Sequence, residues 1–198
     1  MERVGLYGGS FNPVHFGHLW VARAAQEELG LGSVVFVPAA RSPFKPQGSM
    51  AGGASRLRWL RLALAGCRGW EIDTFELDRG GISYTIDTVR HYRSTRPGAS
   101  LFYLIGADHL AQLPKWREAE ALADLVEFVV VPRPGQERCA CPPPFRCHWL
   151  RGIPIGVSSS EIRRRLEVGL PLDWLAPEAV TEALEREWRF ETSDPSGA

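Results

Sequence analysis

Three runs, SVVFV (Ser33 to Val37), LFYLI (Leu101 to Ile105) and LVEFVVV (Leu125 to Val131), are too continuously apolar for strands with one wet face. Strands buried on both faces belong to parallel sheets, whose crossover helices cover them above and below. Helical periodicity fills the intervals as that architecture requires. His18 to Leu29 places Leu19, Ala22, Ala25 and Leu29 on one face and stops at Gly30. Arg56 to Ala65, Thr85 to Thr95, Trp116 to Ala123, Ser158 to Glu167 and Pro177 to Trp188 read as further helices. Arg3 to Tyr7 and Trp70 to Leu77 complete the strand set. The expected class is α/β, a parallel sheet with helices on both faces. One domain is expected over residues 1–190, followed by a disordered tail at 191–198.

Charge narrows the partners. Lys plus Arg and Asp plus Glu number 23 each, and the zero balance argues against broad nucleic-acid binding. No apolar run approaches the ~20 residues of a membrane span. MERVGLYGGS turns before a signal-peptide core could form, so a cytoplasmic location and no membrane partner are expected. Cys67, Cys139, Cys141 and Cys147 are then expected to be reduced. The Cys139-x-Cys141 … Cys147-His148 cluster has an uncommon spacing for zinc, and the expectation there is non-liganding thiols. The chain leaves a homo-oligomer open.

Function is concentrated where strands end. In an open parallel sheet, ligands bind outside the carboxyl ends of the strands. GGSFNPVHFGHL, Gly8 to Leu19, follows the first strand, and Gly106-Ala107-Asp108 follows LFYLI, so both turns belong to one edge. Gly8 and Gly9 admit close approach of a ligand. No Gly-Lys follows and no G-x-G-x-x-G is present, which removes the two common phosphate fingerprints. Instead His15-x-Gly17-His18 opens a helix, where exposed N–H groups and the helix dipole favour an anion. Two imidazoles there would add donors, and Gly17 keeps the space between them open. Each part alone also fits plain turn chemistry. A resident metal is not expected, since no third ligand stands near the pair.

The combination is more specific than its parts. GGSFNPVHFGHL resembles the signature of the H-x-G-H nucleotidyltransferase superfamily. SYTIDTV (Ser83 to Val89), YLIGADHL (Tyr103 to Leu110), LPKW (Leu113 to Trp116), VPRPG (Val131 to Gly135) and VSSSEIRRRL (Val157 to Leu166) follow in order. Together they resemble the bacterial nicotinate-nucleotide adenylyltransferase family over residues 3 to about 188.

The resemblance implies a Rossmann-like doubly wound fold. It implies direct transfer of AMP from ATP to nicotinate mononucleotide, with Mg²⁺ accompanying the triphosphate. His15, His18 and Arg163 would be catalytic. Gly8, Gly9, Ser10, Phe11, Gly106, Asp108 and Ser158 would join them in holding ATP. Lys45, Tyr84, Thr85 and Trp116 would hold the acceptor, with the indole stacked on the pyridine ring. Arg164 and Arg165 would be solvated or ion-paired. The alternatives are a sister enzyme adenylylating nicotinamide mononucleotide or phosphopantetheine, or a non-catalytic nucleotide-binding module. The sequence departs from the family pattern at Phe44, where histidine is common before the loop lysine. Milder changes stand at Ser10, Asn12 and Val157 to Ser160.

Overall fold

The structure is a computed structural model, described for residues 2–41, 50–133, 135, 138–152 and 155–193. Six strands form one sheet: β1 Arg3–Gly9, β2 Ser33–Pro38, β3 Trp70–Ile72, β4 Ser100–Gly106, β5 Glu127–Val131 and β6 Cys147–Trp149. Their order is β3-β2-β1-β4-β5-β6, and every pair is parallel. Seven α-helices accompany them among the described residues: α1 Phe16–Leu29, α2 Gly53–Leu64, α3 Phe75–Arg79, α4 Thr85–Thr95, α5 Ala119–Leu125, α6 Ser159–Glu167 and α7 Glu178–Ser193. The expected doubly wound sheet is the one observed.

The period of two sorts each strand between two cores. In β4, Phe102 and Leu104 face the layer built from Ala22 and Ala25 of α1, Trp59 and Leu60 of α2, and Val180 and Leu184 of α7. Leu101, Tyr103 and Ile105 face the opposite layer, with Ile86, Val89 and Tyr92 of α4 and Leu122 of α5. Burial on both faces explains why these strands carry no polar alternation.

The structure differs from the sequence reading at four places. The strand expected over Trp70 to Leu77 ends at Ile72, because Asp73 Oδ1 accepts the Phe75 N–H at 2.8 Å and turns the chain into α3. The helix expected at Trp116 is preceded by a 3₁₀ segment, Ala107–Lys115, which Trp116 terminates; α5 begins only after Glu118, at φ 54°. The proline-rich connection holds an edge strand, β6, and Cys141 and Cys147 are joined there as a disulfide rather than reduced. Cys67 and Cys139 remain free thiols. Helix α7 continues to Ser193, three residues into the expected tail; residues 194–198 lie outside the described residues.

One buried cation ties the layers to the first turn. Arg56 of α2 is 2 % exposed, donating from Nη1 to the Ser10 carbonyl at 2.9 Å and from Nε to the Ala51 carbonyl at 2.9 Å. Burial pulls its pKa down from the usual arginine value. Replacing it with alanine strips two buried carbonyls of their donors and leaves a cavity. Arg56→Ala is therefore expected to lower unfolding stability by about 3 kcal/mol in urea titration.

Candidate active site

Strand β1 continues through β2 towards one edge of the sheet, whereas β4 starts towards the other. Their carboxyl ends, at Gly9 and Gly106, therefore flank the topological switch point. A cleft of about 760 Å³ opens there. Its floor is shaped by close packing rather than by glycine flexibility. A Cβ at Gly8 would collide with the Tyr103 hydroxyl, and one at Gly9 would lie 3.0 Å from the Phe11 ring. Ser10 lines the cleft beside them. Phe11 takes the left-handed conformation, φ 45°, which a bulky residue adopts only under constraint. Its ring is buried against Tyr7 and His18, with centroids 5.5 and 5.0 Å away.

His15 and His18 open α1, and the His18 side chain reaches back to cap it. His15 is the N-cap residue, and its own N–H donates to His18 Nδ1 at 3.2 Å. His18 thus plays the part that Glu or Gln plays in a capping box. Accepting at Nδ1 leaves the proton of the neutral ring on Nε2. The two rings lie 3.8 Å apart between centroids. A Cβ at Gly17 would come within 2.9 Å of the His15 ring, so glycine is required for the pair to sit together. His15 is 7 % exposed, and its Nδ1 has no hydrogen-bond partner among the described residues. Burial, helped by the positive charge of Arg133, pulls its pKa down from 6.5 to about 4.

The facing wall is the start of α6. Ser158 Oγ caps it by accepting the Glu161 N–H at 3.2 Å. Ser159 Oγ donates to the Pro13 carbonyl at 2.9 Å, and Arg163 Nη1 donates to the Asn12 carbonyl at 2.6 Å. Arg163 therefore reaches the cleft while holding the first turn in place. Arg164 pairs with Glu161 at 2.7 Å and Arg165 donates to the Pro171 carbonyl, so both have structural partners as expected.

The cleft is also lined by Glu76, Ser83, Thr85, Tyr103, Asp108 and Trp116. The Thr85 hydroxyl bonds to buried Tyr103, which reaches back under Gly8. Trp116 stands edge-on to Phe128, centroids 6.0 Å apart. Tyr84 does not line this cleft; its ring packs against the Arg117 guanidinium, 4.7 Å from the centroid. Asp108 Oδ1 accepts from Arg133 Nε at 3.2 Å. Lys45 and Phe44 lie outside the described residues. Among the described residues no group of three or more His, Cys, Asp or Glu stands together as a metal site, and His148 is committed to Glu127 at 2.6 Å.

Two charged cleft residues, Arg133 and Glu76, escaped the sequence reading. Arg133 follows β5 directly, and its signal was the same strand-end rule applied to a third strand. Glu76 gave none, because it sits where a strand was expected.

The sequence profile of the cytidylyltransferase-like family matches residues 6–165. The chain is 40 % identical to a protein named probable nicotinate-nucleotide adenylyltransferase from Opitutus terrae, over 88 % of this chain and 91 % of that one. It is also 40 % identical to a protein of the same name from Thermus thermophilus, over 93 % and 97 % of the two chains. The chain belongs to the nicotinate-nucleotide adenylyltransferase family. Among solved structures, the Plasmodium falciparum nicotinic acid mononucleotide adenylyltransferase in complex with NaAD superposes with a TM-score of 0.78. It covers 98 % of this chain and 99 % of its own at 15 % identity, a likeness of fold. As in the family fingerprint, the H-x-G-H residues here sit at a helix start, on the switch-point edge.

The buried neutral His15 has a consequence for acid stability. The unfolded ring takes a proton as pH falls below 6.5, and the folded ring does so only near 4. Protons thus favour the unfolded chain in that window, and stability is lost as pH falls through it. Between pH of about 7 and about 4.5, this linkage is worth about 2–3 kcal/mol. His15→Asn keeps an N-cap and removes the ring. Urea titrations at both pH values are expected to give that much less acid destabilisation in the variant.

Proposed function

We propose that the protein joins nicotinate mononucleotide and ATP to give nicotinate adenine dinucleotide and pyrophosphate. The observation that carries this is that the His15–His18 helix start and the Ser158–Arg163 helix start, joined by the Ser159–Pro13 and Arg163–Asn12 bonds, line one cleft that Trp116 and Thr85 also line. Two helix starts side by side favour a polyanion before them. A flat indole beside the N-terminus of α4 suits an aromatic ring bearing an anionic group. The carried-over sites of the family fall into these two parts. His15, His18, Gly8, Gly9, Ser10, Gly106, Asp108, Ser158 and Arg163 take the ATP side; Thr85 and Trp116 take the acceptor. Arg133 adds a cation between them.

In the reaction a phosphate oxygen of the acceptor nucleotide attacks the α-phosphorus of ATP. The bond to the β-phosphate oxygen breaks opposite it, and pyrophosphate leaves. The nucleophile is already anionic, so no side chain has to remove a proton. The protein's task is to place two phosphates in line and to aim donors at the charge that builds on the α-phosphate. His18 Nε2–H is such a donor, pre-set by the Nδ1 bond to the His15 backbone. Arg163 is a second, fixed through Asn12.

The described residues offer no cage for a resident ion. Magnesium therefore belongs to the reaction as part of the Mg·ATP substrate, held by phosphates and water. No helix of the described residues is long and apolar enough to cross a membrane. The reading places the reaction in the cytoplasm. In a reducing compartment Cys141 and Cys147 would be two adjacent thiols, and no step uses them.

Pyrophosphate release with Mg·ATP and either nicotinate or nicotinamide mononucleotide tests the reading. Preference for the nicotinate form is the expected result. Preference for the amide moves the assignment to the sister enzyme, and ATP binding without pyrophosphate makes the protein a binding module. His18→Ala is expected to lower kcat by ~10²–10³ while the protein stays folded; an unchanged kcat removes His18 from catalysis.

A further inference from the structure

Glu76 is the one buried acidic side chain among the described residues, 2 % exposed, and it lines the cleft. Its partners are hydroxyls. Thr88 Oγ1 donates to Glu76 Oε1 at 2.5 Å, and the Ser83 hydroxyl donates as well. Ser83 Oγ in turn accepts the Ala40 N–H at 3.0 Å, and the Ser83 N–H donates to the Arg41 carbonyl at 2.9 Å. Glu76 therefore grips both sides of the turn that starts α4: Ser83 just before Tyr84 and Thr85, and Thr88 within the first turns of the helix. Ser83 and Thr85 of that turn line the cleft.

The charges around Glu76 leave it without a counter-ion. On its own helix, Asp78 accepts from Thr74 at 2.6 Å, and Arg79 pairs with Asp87 and donates to the Ile82 carbonyl at 2.8 Å. From α4 the facing charge is Asp87, and from β4 the facing titratable group is Tyr103. Arg79 acts on Glu76 only at a distance and already serves Asp87. Burial raises the Glu76 carboxyl above the ordinary glutamate range, against the lowering effect of Thr88, Ser83 and Arg79.

We propose that Glu76 is a positioning residue for the acceptor nucleotide, holding the Ser83–Thr85 turn and the first turns of α4 in the arrangement that receives an anionic pyridine substituent. This rests on the adenylyl-transfer reading above. The physical reason is direct. Its bonds to Ser83 and Thr88 fix the two segments that flank the N-terminus of α4, where backbone N–H groups and the helix dipole favour an anion.

Steady-state kinetics of the full chain test this with both substrates. Glu76→Ala should raise KM for nicotinate mononucleotide about tenfold and move KM for ATP by less than about twofold, with Glu76→Gln, which keeps one acceptor oxygen, restoring part of the loss. A Glu76→Ala protein with unaltered acceptor KM overturns the proposal, and so does one in which both KM values rise together. If Glu76→Ala does not fold, Thr88→Val, which removes the bond to Glu76 Oε1, decides in its place, an unaltered acceptor KM again overturning the proposal. A parent protein that forms no dinucleotide overturns the adenylyl-transfer reading first, and this inference with it; a working enzyme with the wrong Glu76 profile overturns only the inference.

Discussion

The site exists because two neighbouring parallel strands, β1 and β4, send their chains towards opposite edges of the sheet. Nothing then crosses above Gly9 and Gly106, and the cleft is the gap that this leaves. Everything built around it depends on how closely the two strand ends approach. Tyr103 of β4 slides its hydroxyl under Gly8 of β1, where even a methyl group would block it. From there it meets the Thr85 hydroxyl, so one buried side chain connects the first turn to the start of α4. The same approach explains Gly106, whose missing side chain leaves room for Asp108 and Arg133 to meet.

A protein with no net charge still presents positive groups to its cleft, because position matters more than balance. Arg133 and Arg163 face it, and two helices begin at it. Each cation is held by a neutral or acidic partner of the scaffold: Arg163 by the Asn12 carbonyl, Arg133 by Asp108. Such partners orient the guanidinium group and leave donors for a ligand, since guanidinium carries five N–H groups. The neutral state of His15 follows from the same distribution of charge. A charged His15 ring would be poorly solvated and repelled by Arg133, so it stays neutral.

The fold was legible because burial on both faces leaves a mark that survives without any alignment. SVVFV and LFYLI admit few other architectures, and their order with the helices leaves little choice of sheet. What failed was local. Asp73 ended a strand by a side-chain bond that apolar pattern does not register, and three-residue β6 is too short to carry a period. The first turn of the cleft was legible for a different reason. Gly, Pro and His are rare together, so GGSFNPVHFGHL stands out before its function is known. Tyr84 was carried over with its neighbour Thr85, yet a helix start turns adjacent side chains apart, and only Thr85 faces the cleft. Glu76 was hidden because a buried carboxyl is indistinguishable in sequence from an exposed one.

The His15–His18 cap shows how tightly stability and chemistry are joined here. The bond from the His15 N–H to His18 Nδ1 satisfies one of the free N–H groups at the start of α1, and it also selects the tautomer that offers Nε2–H to a ligand. A Glu or Gln at position 18 would cap the helix as well, but a carboxylate would present negative charge to the phosphates. Imidazole is the side chain that accepts inward and donates outward in one rigid ring. The requirement for Gly17 follows from it, since a Cβ there would come within 2.9 Å of the His15 ring. The spacing of the motif is thus set by the first turn of a helix, and its residue types by the need to face an anion while closing that turn.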